Sequence, residues 1–196
     1  SPNLLSPRIV SMNDLPFPLD GSTLITGPSN TGKTILTSQA LSNWIFKNGS
    51  ENIIILEFGP EYSHNGKILG RHLSRFIDFP PDIWYGYLET YAPRAEGRNL
   101  AESMELAAIN VERASFLLDT LPPHPAAVFV NDATIPLQSP SSNFETLVDY
   151  CDKADCAVLN AFTGNELGYE DPISQSEISS ISALENWADR CVTLPL

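Results

Sequence analysis

A layered α/β fold built on a mainly parallel sheet is the class this sequence predicts, on three observations. Short, uninterrupted apolar runs alternate with stretches of helical periodicity along most of the chain. Two of those runs close on a carboxylate, Glu57 and Asp132. Between the first run and the first helical stretch stands Gly27-Pro28-Ser29-Asn30-Thr31-Gly32-Lys33-Thr34, which fits G-x-x-x-x-G-K-[ST].

The elements follow in order. Residues 1–20 are rich in Pro and polar groups and are expected to form an irregular arm on a single domain spanning 1–196. Residues 22–26 read as a short buried strand, and 35–47 as a helix stopped at Gly49. Residues 52–58 hold consecutive β-branched side chains, the pattern of a strand covered on both faces, and Gly59-Pro60 breaks it. Leu69, Leu73 and Phe76 are spaced for a helix over 64–76, ended by Pro80-Pro81. A third strand is expected at 83–88 and the longest helix at 100–121, before Pro122-Pro123. Residues 126–132 form a fourth strand, 144–153 a helix and 156–161 a fifth strand. A loop over 163–176, a helix over 177–189 and a last strand at 191–194 complete the pattern. In such sheets ligands sit at the carboxyl ends of the strands, where Gly27, Glu57 and Asp132 all fall.

The chain has 196 residues, 42% of them apolar, and no apolar run approaches the ~20 residues a bilayer crossing needs. No basic segment followed by an apolar stretch opens the sequence, so a cytoplasmic location is expected. Eleven Lys and Arg stand against 24 Asp and Glu, a net charge of −13. That balance disfavours an extensive nucleic-acid or anionic-membrane surface, because phosphate contacts need cations. Cys151, Cys156 and Cys191 show no C-x-x-C spacing and are expected to be core thiols.

The octet carries the chemistry. Its glycines let backbone N–H groups curl toward phosphate oxygens, and the following helix adds its positive end. Gly27, Pro28, Ser29, Asn30, Thr31, Gly32, Lys33, Thr34 and Ile35 are therefore the expected phosphate-binding set. Lys33 reaches the β- and γ-phosphates, and the Thr34 hydroxyl ligates Mg²⁺. A carboxylate at a neighbouring strand end holds the same metal, usually through water; Asp132 is that candidate, with Asn131 a turn or hydrogen-bonding residue. A base for an attacking water comes from Glu57, with Glu61 in reserve, since Ala133 supplies no second acid beside Asp132.

These segments resemble the RecA/KaiC-type P-loop ATPases. The resemblance rests on residues 19–28, the loop itself and Thr37-Ser38-Gln39, with weaker likeness at 53–57, 128–137 and 187–194. It implies a three-layer P-loop NTPase fold with a RecA-like sheet. It also implies Mg²⁺ and ATP as ligands, Lys33 and Glu57 as the catalytic pair, and coupling of hydrolysis to conformation or assembly with a homo-oligomer or protein partner. ATP is favoured because no N-K-x-D segment is present. Arg94 and Arg98 are candidate trans-acting cations or solvated loop charges.

Two alternatives stand beside it. Residues 132–137 and 165–168 faintly resemble adenosylcobinamide kinases, which implies a small-molecule kinase or nucleotidyltransferase with an acceptor held by residues 62–98 and assisted by His64 or His72. A non-hydrolysing, nucleotide-responsive protein is the third, its partner surface formed by Trp84, Tyr85, Tyr87 and Tyr91 unless these line the core.

Overall fold

Continuous β-branched and apolar runs can be buried only if both faces of their sheet are covered, and the chain meets that demand with a parallel sheet between helices. The computed structural model describes residues 10–64, 66–164 and 170–196. The elements are β1 (Gly21–Gly27), α1 (Lys33–Asn48), β2 (Ile53–Glu57), β3 (Tyr62–His64), β4 (Lys67–Leu69), β5 (Trp84–Tyr87), α2 (Pro93–Glu96), α3 (Leu100–Leu118), β6 (Ala127–Asn131), α4 (Asn143–Asp152), β7 (Cys156–Phe162), α5 (Pro172–Trp187) and β8 (Arg190–Thr193). Short 3₁₀ turns lie at Leu73–Arg75 and Ile135–Leu137.

Six strands form one sheet in the order β5-β2-β6-β7-β1-β8, every neighbouring pair parallel. Successive side chains on a strand point to opposite faces, and the two cores divide accordingly. Leu24, Ile54, Leu56, Val128, Val130 and Leu159 pack on one face with Ala114 and Leu118 of α3, Leu147 of α4 and Leu184 of α5. Ile25, Ile53, Ile55, Phe129 and Val158 pack on the other with Leu41 and Trp44 of α1. Three layers result, as expected from the runs.

Three departures stand out. Residues 64–76 do not form a helix: an antiparallel β3–β4 hairpin and a 3₁₀ turn stand there, with Gly66 and Gly70 at φ 77° and 74°. The loop expected to 176 ends earlier, because Asp171 caps α5 by accepting from the Ser174 N–H and Pro172 occupies its first turn. Cys151 and Cys156 are buried free thiols, but Cys191 on edge strand β8 is exposed rather than core. Residues 11–17 lie against α1, where Ser11 bonds Ser42, Asn13 bonds Asn43, and Phe17 is buried. No helix among the described residues is long and apolar enough to cross a membrane.

Candidate functional site

β1 ends at Gly27 and α1 begins at Lys33, so the octet spans the turn between a central strand and the helix that follows. Two of its positions require left-handed backbone. Asn30 sits at φ 59°, which Asn tolerates, and Gly32 at φ 94°. Gly32 is the N-cap of α1 and brings no capping side chain. An added Cβ at Gly32 would meet nothing within 4 Å, so the turn faces open space.

That space is a cavity of about 320 Å³, within the usual range for small-ligand sites. Ser29, Asn30, Gly32, Lys33, Thr34 and Ile35 line one side of it. Gly27, Pro28 and Thr31 lie behind them: the Pro28 carbonyl accepts from the Thr31 hydroxyl at 2.8 Å and from Lys33 Nζ at 2.6 Å, while the Gly27 carbonyl accepts from the Thr163 N–H. Lys33 is thus folded back on its own loop.

β6 ends one residue earlier than its sequence pattern predicts, and that changes which side chain meets the loop. Asn131, buried, closes the strand, and its Oδ1 accepts from the Thr34 hydroxyl at 3.3 Å and from Asn160 Nδ2 at 2.9 Å. Its Nδ2 donates to the Glu57 carboxyl and to the Arg71 carbonyl at 2.6 Å. All four hydrogen-bonding positions of the amide are filled. Asn131 is therefore the hub of the site rather than a turn residue.

Asp132 follows at φ 62° and lines the cavity beside Lys33 and Thr34. Its N–H donates to Asn160 Oδ1, and its carboxyl accepts from the Thr134 hydroxyl at 2.8 Å. Burial pushes its pKa up, opposed by the Thr134 bond and the charges of Lys33 and Arg94. Gly59 passes so close that an added Cβ would lie 2.8 Å from Asp132 Cβ.

Glu57 ends β2 directly across from Asn131 in the register. Its side chain is fully buried and lies off the cavity wall, accepting from the Leu73 N–H at 2.8 Å and from Asn131. Burial raises its pKa to about 8, against the lowering effect of those two bonds. Burial thus favours the protonated carboxyl near neutral pH, and the Leu73 N–H, the Asn131 amide and the Tyr85 hydroxyl lie against it. Glu61 is also off the cavity: it accepts from the His72 N–H and bidentately from Arg75, which brings its pKa down to about 2.

The two candidate cations part company. Arg98 is 87% exposed and pairs with Glu102 within one helical turn. Arg94, at the start of α2, points inward, pairs with Glu177 of α5, donates to Ser174 Oγ at 2.8 Å, and lines the cavity. His72 is half-buried beside the Gly59 carbonyl and the Tyr87 ring, away from the cavity. The side chain of His64 and the segment 165–168 lie outside the described residues. Trp84 packs against a core, whereas Tyr85 and Tyr87 are exposed on edge strand β5 and Tyr91 stacks under Arg113. Arg71, Gln138, Asn160 and Glu177 also line the cavity and were not marked by any sequence motif. The register of the sheet brings Asn160 there, the course of 70–75 Arg71, and the packing of the 135–137 turn and α5 Gln138 and Glu177.

No protein-family model and no curated protein matches the chain. Among solved structures it is similar to the Legionella pneumophila ATPase DotB, with a TM-score of 0.32 and 14% identity over 86% of this chain. The chain spans 36% of that structure's length.

Proposed function

We propose that the chain binds Mg²⁺-ATP at the loop between β1 and α1, as a RecA/KaiC-like ATPase that converts nucleotide state into conformation or assembly. One observation carries this: the Thr34 hydroxyl meets the end of β6 through Asn131, across a cavity onto which the loop and the uncapped α1 terminus open. The chain's own groups fit a polyphosphate. The α1 amides and Lys33 are donors for its oxygens, with Lys33 Nζ exchanging the Pro28 carbonyl for them.

Thr34 Oγ1, Asp132 and, on giving up its bond from Thr34 or Asn160, Asn131 Oδ1 would hold the Mg²⁺, a hard cation that takes oxygen ligands and keeps part of its water. When bound, the metal neutralises charge developing on the phosphates. Two of these three side chains are neutral, so the metal arrives with the nucleotide rather than before it. Glu57 is the base of this proposal. It works only when residues 71–73 uncover it and its proton is gone, so turnover is slow at neutral pH and rises as pH passes about 8.

A second reading, a nucleotide-responsive protein without turnover, is favoured by the burial of Glu57. Titration of the chain with Mg²⁺-ATP, followed by phosphate release between pH 6.5 and 9, separates them. Saturable binding with release that climbs with pH supports the ATPase; binding with no release at any pH selects the second. Lys33→Ala is expected to lower ATP affinity by at least about tenfold, on the strength of charge-assisted phosphate contacts. Unchanged affinity in that variant overturns both.

A further inference from the structure

The described residues include two buried side-chain N–H donors that meet no acceptor, Arg71 Nη1 and Arg94 Nε. Both residues line the cavity that the loop faces. An unmet buried donor is costly, more so when it is charged, so two lining one cavity mark a place for an acceptor.

The backbone at Arg71 and the guanidinium of Arg94 are held there by their surroundings. Gly70 packs on residue 60, where an added Cβ would lie 2.3 Å from the Pro60 carbonyl oxygen. The Arg71 carbonyl takes the Asn131 amide, and the next two N–H groups, of His72 and Leu73, go to Glu61 and Glu57. Arg94 is only 10% exposed, and its Nη1 is tied to Ser174 and Glu177 across two helices. Glu177 also takes the Gln138 amide at 3.1 Å, so its charge is already engaged. Asp132 is engaged by Thr134. The cavity thus sets Lys33, Arg71 and Arg94 against two occupied carboxyl groups.

We propose that Arg71 and Arg94 form a second oxyanion subsite, distinct from the phosphate loop and facing it across the same cavity. Its ligand is a phosphate or carboxylate group, which offers oxygens matched to guanidinium N–H geometry. Two sources share that chemistry: the terminal phosphate of a nucleotide on the loop, or an anionic group on a second small molecule. The first source rests on the nucleotide-binding proposal; the subsite itself does not.

Calorimetry on the full chain distinguishes them, with Mg²⁺-ADP, Mg²⁺-ATP and inorganic phosphate as probes, the last added to free and to ADP-loaded protein. The variants are Arg71→Gln and the double change Arg94→Gln with Glu177→Gln, which leaves no unpaired buried acid; Arg98→Gln is the exposed control. If the terminal phosphate is the ligand, ATP binds at least about tenfold tighter than ADP. That preference falls toward unity in Arg71→Gln and in the double variant, with ADP affinity kept. If a separate anion is the ligand, phosphate binds the ADP-loaded protein one to one and either change weakens it by at least about tenfold. Phosphate that binds while neither nucleotide does, and is lost in Arg71→Gln, upholds the subsite and overturns the loop proposal. Equal ADP and ATP affinities with no saturable phosphate binding, or preferences unmoved in both folded variants, overturn the subsite. Melting curves establish that each variant is folded, and Arg71→Lys serves if Arg71→Gln is not.

Discussion

Asn131 joins four partners through one amide: Thr34 of the loop, Asn160 of β7, Glu57 of β2 and the Arg71 carbonyl. Asp at this position keeps the two acceptor contacts and loses both donors. Asn131→Asp is expected to destabilise the ligand-free chain by about 1–3 kcal/mol, the usual penalty for buried partners left unmet. It also puts a carboxylate against Thr34, so Mg²⁺-ATP should recover more thermal stability in this variant than in the parent. Melting curves with and without Mg²⁺-ATP test this, and equal recovery in both proteins refutes it. Glu57 has its own signature. Its pKa rises from 4.5 to about 8 on folding, so the native state holds the proton more tightly than the unfolded chain. Stability from this group is complete below pH 4.5 and is lost as pH climbs through 8, on the order of a few kcal/mol. Glu57→Gln should flatten, not abolish, the fall in melting temperature between pH 5 and 8.5, because burial raises Asp132 and Glu177 as well. An unchanged slope refutes the assignment.

The segment between β2 and β5 decides the far wall of the cavity. Helical spacing at Leu69, Leu73 and Phe76 predicts a helix there, yet its carbonyls and amides are claimed by Asn131, Glu57 and Glu61. Asn131 lies far along the chain and Glu57 in another strand, so the segment's own sequence does not contain the partners that decide its course. The octet is the opposite case: its spacing, its glycine and the strand and helix beside it are all local, and it was legible in full. α5 lies between. Its Asp171-Pro172 start is a capping residue followed by a first-turn proline, yet with Gly164 and Gly168 before it Pro172 reads as one more loop residue of 163–176. Gly70→Ala tests the element directly. The new methyl would meet the Pro60 carbonyl at a left-handed φ of 74°, so a loss of about 1–3 kcal/mol is expected. ATP-over-ADP preference should weaken with it. A variant as stable as the parent refutes the clamp.

At the scale of the molecule, the uninterrupted apolar runs of β2, β6 and β7 were enough to predict a sheet covered on both faces, because a strand apolar at nearly every position can be buried only that way. Strand order was not legible, since parallel neighbours such as β1 and β8 come from opposite ends of the pattern. Leu159, fully buried on β7 between the strands that carry Asn131 and the loop, is a measure of that core. Leu159→Ala should cost about 2–5 kcal/mol, whereas Phe116→Ala, 73% exposed on α3, should change little. Denaturant midpoints compare the two, and similar losses refute the assignment of the core. The position of β1 between β7 and β8 also bears on how the chain is made. A ribosome reaches residues 27–34 well before either strand that flanks them. A nascent chain paused before Cys156 carries the octet with neither neighbour, so it should give no nucleotide-dependent protection from protease, and protection should appear only once both strands have been made.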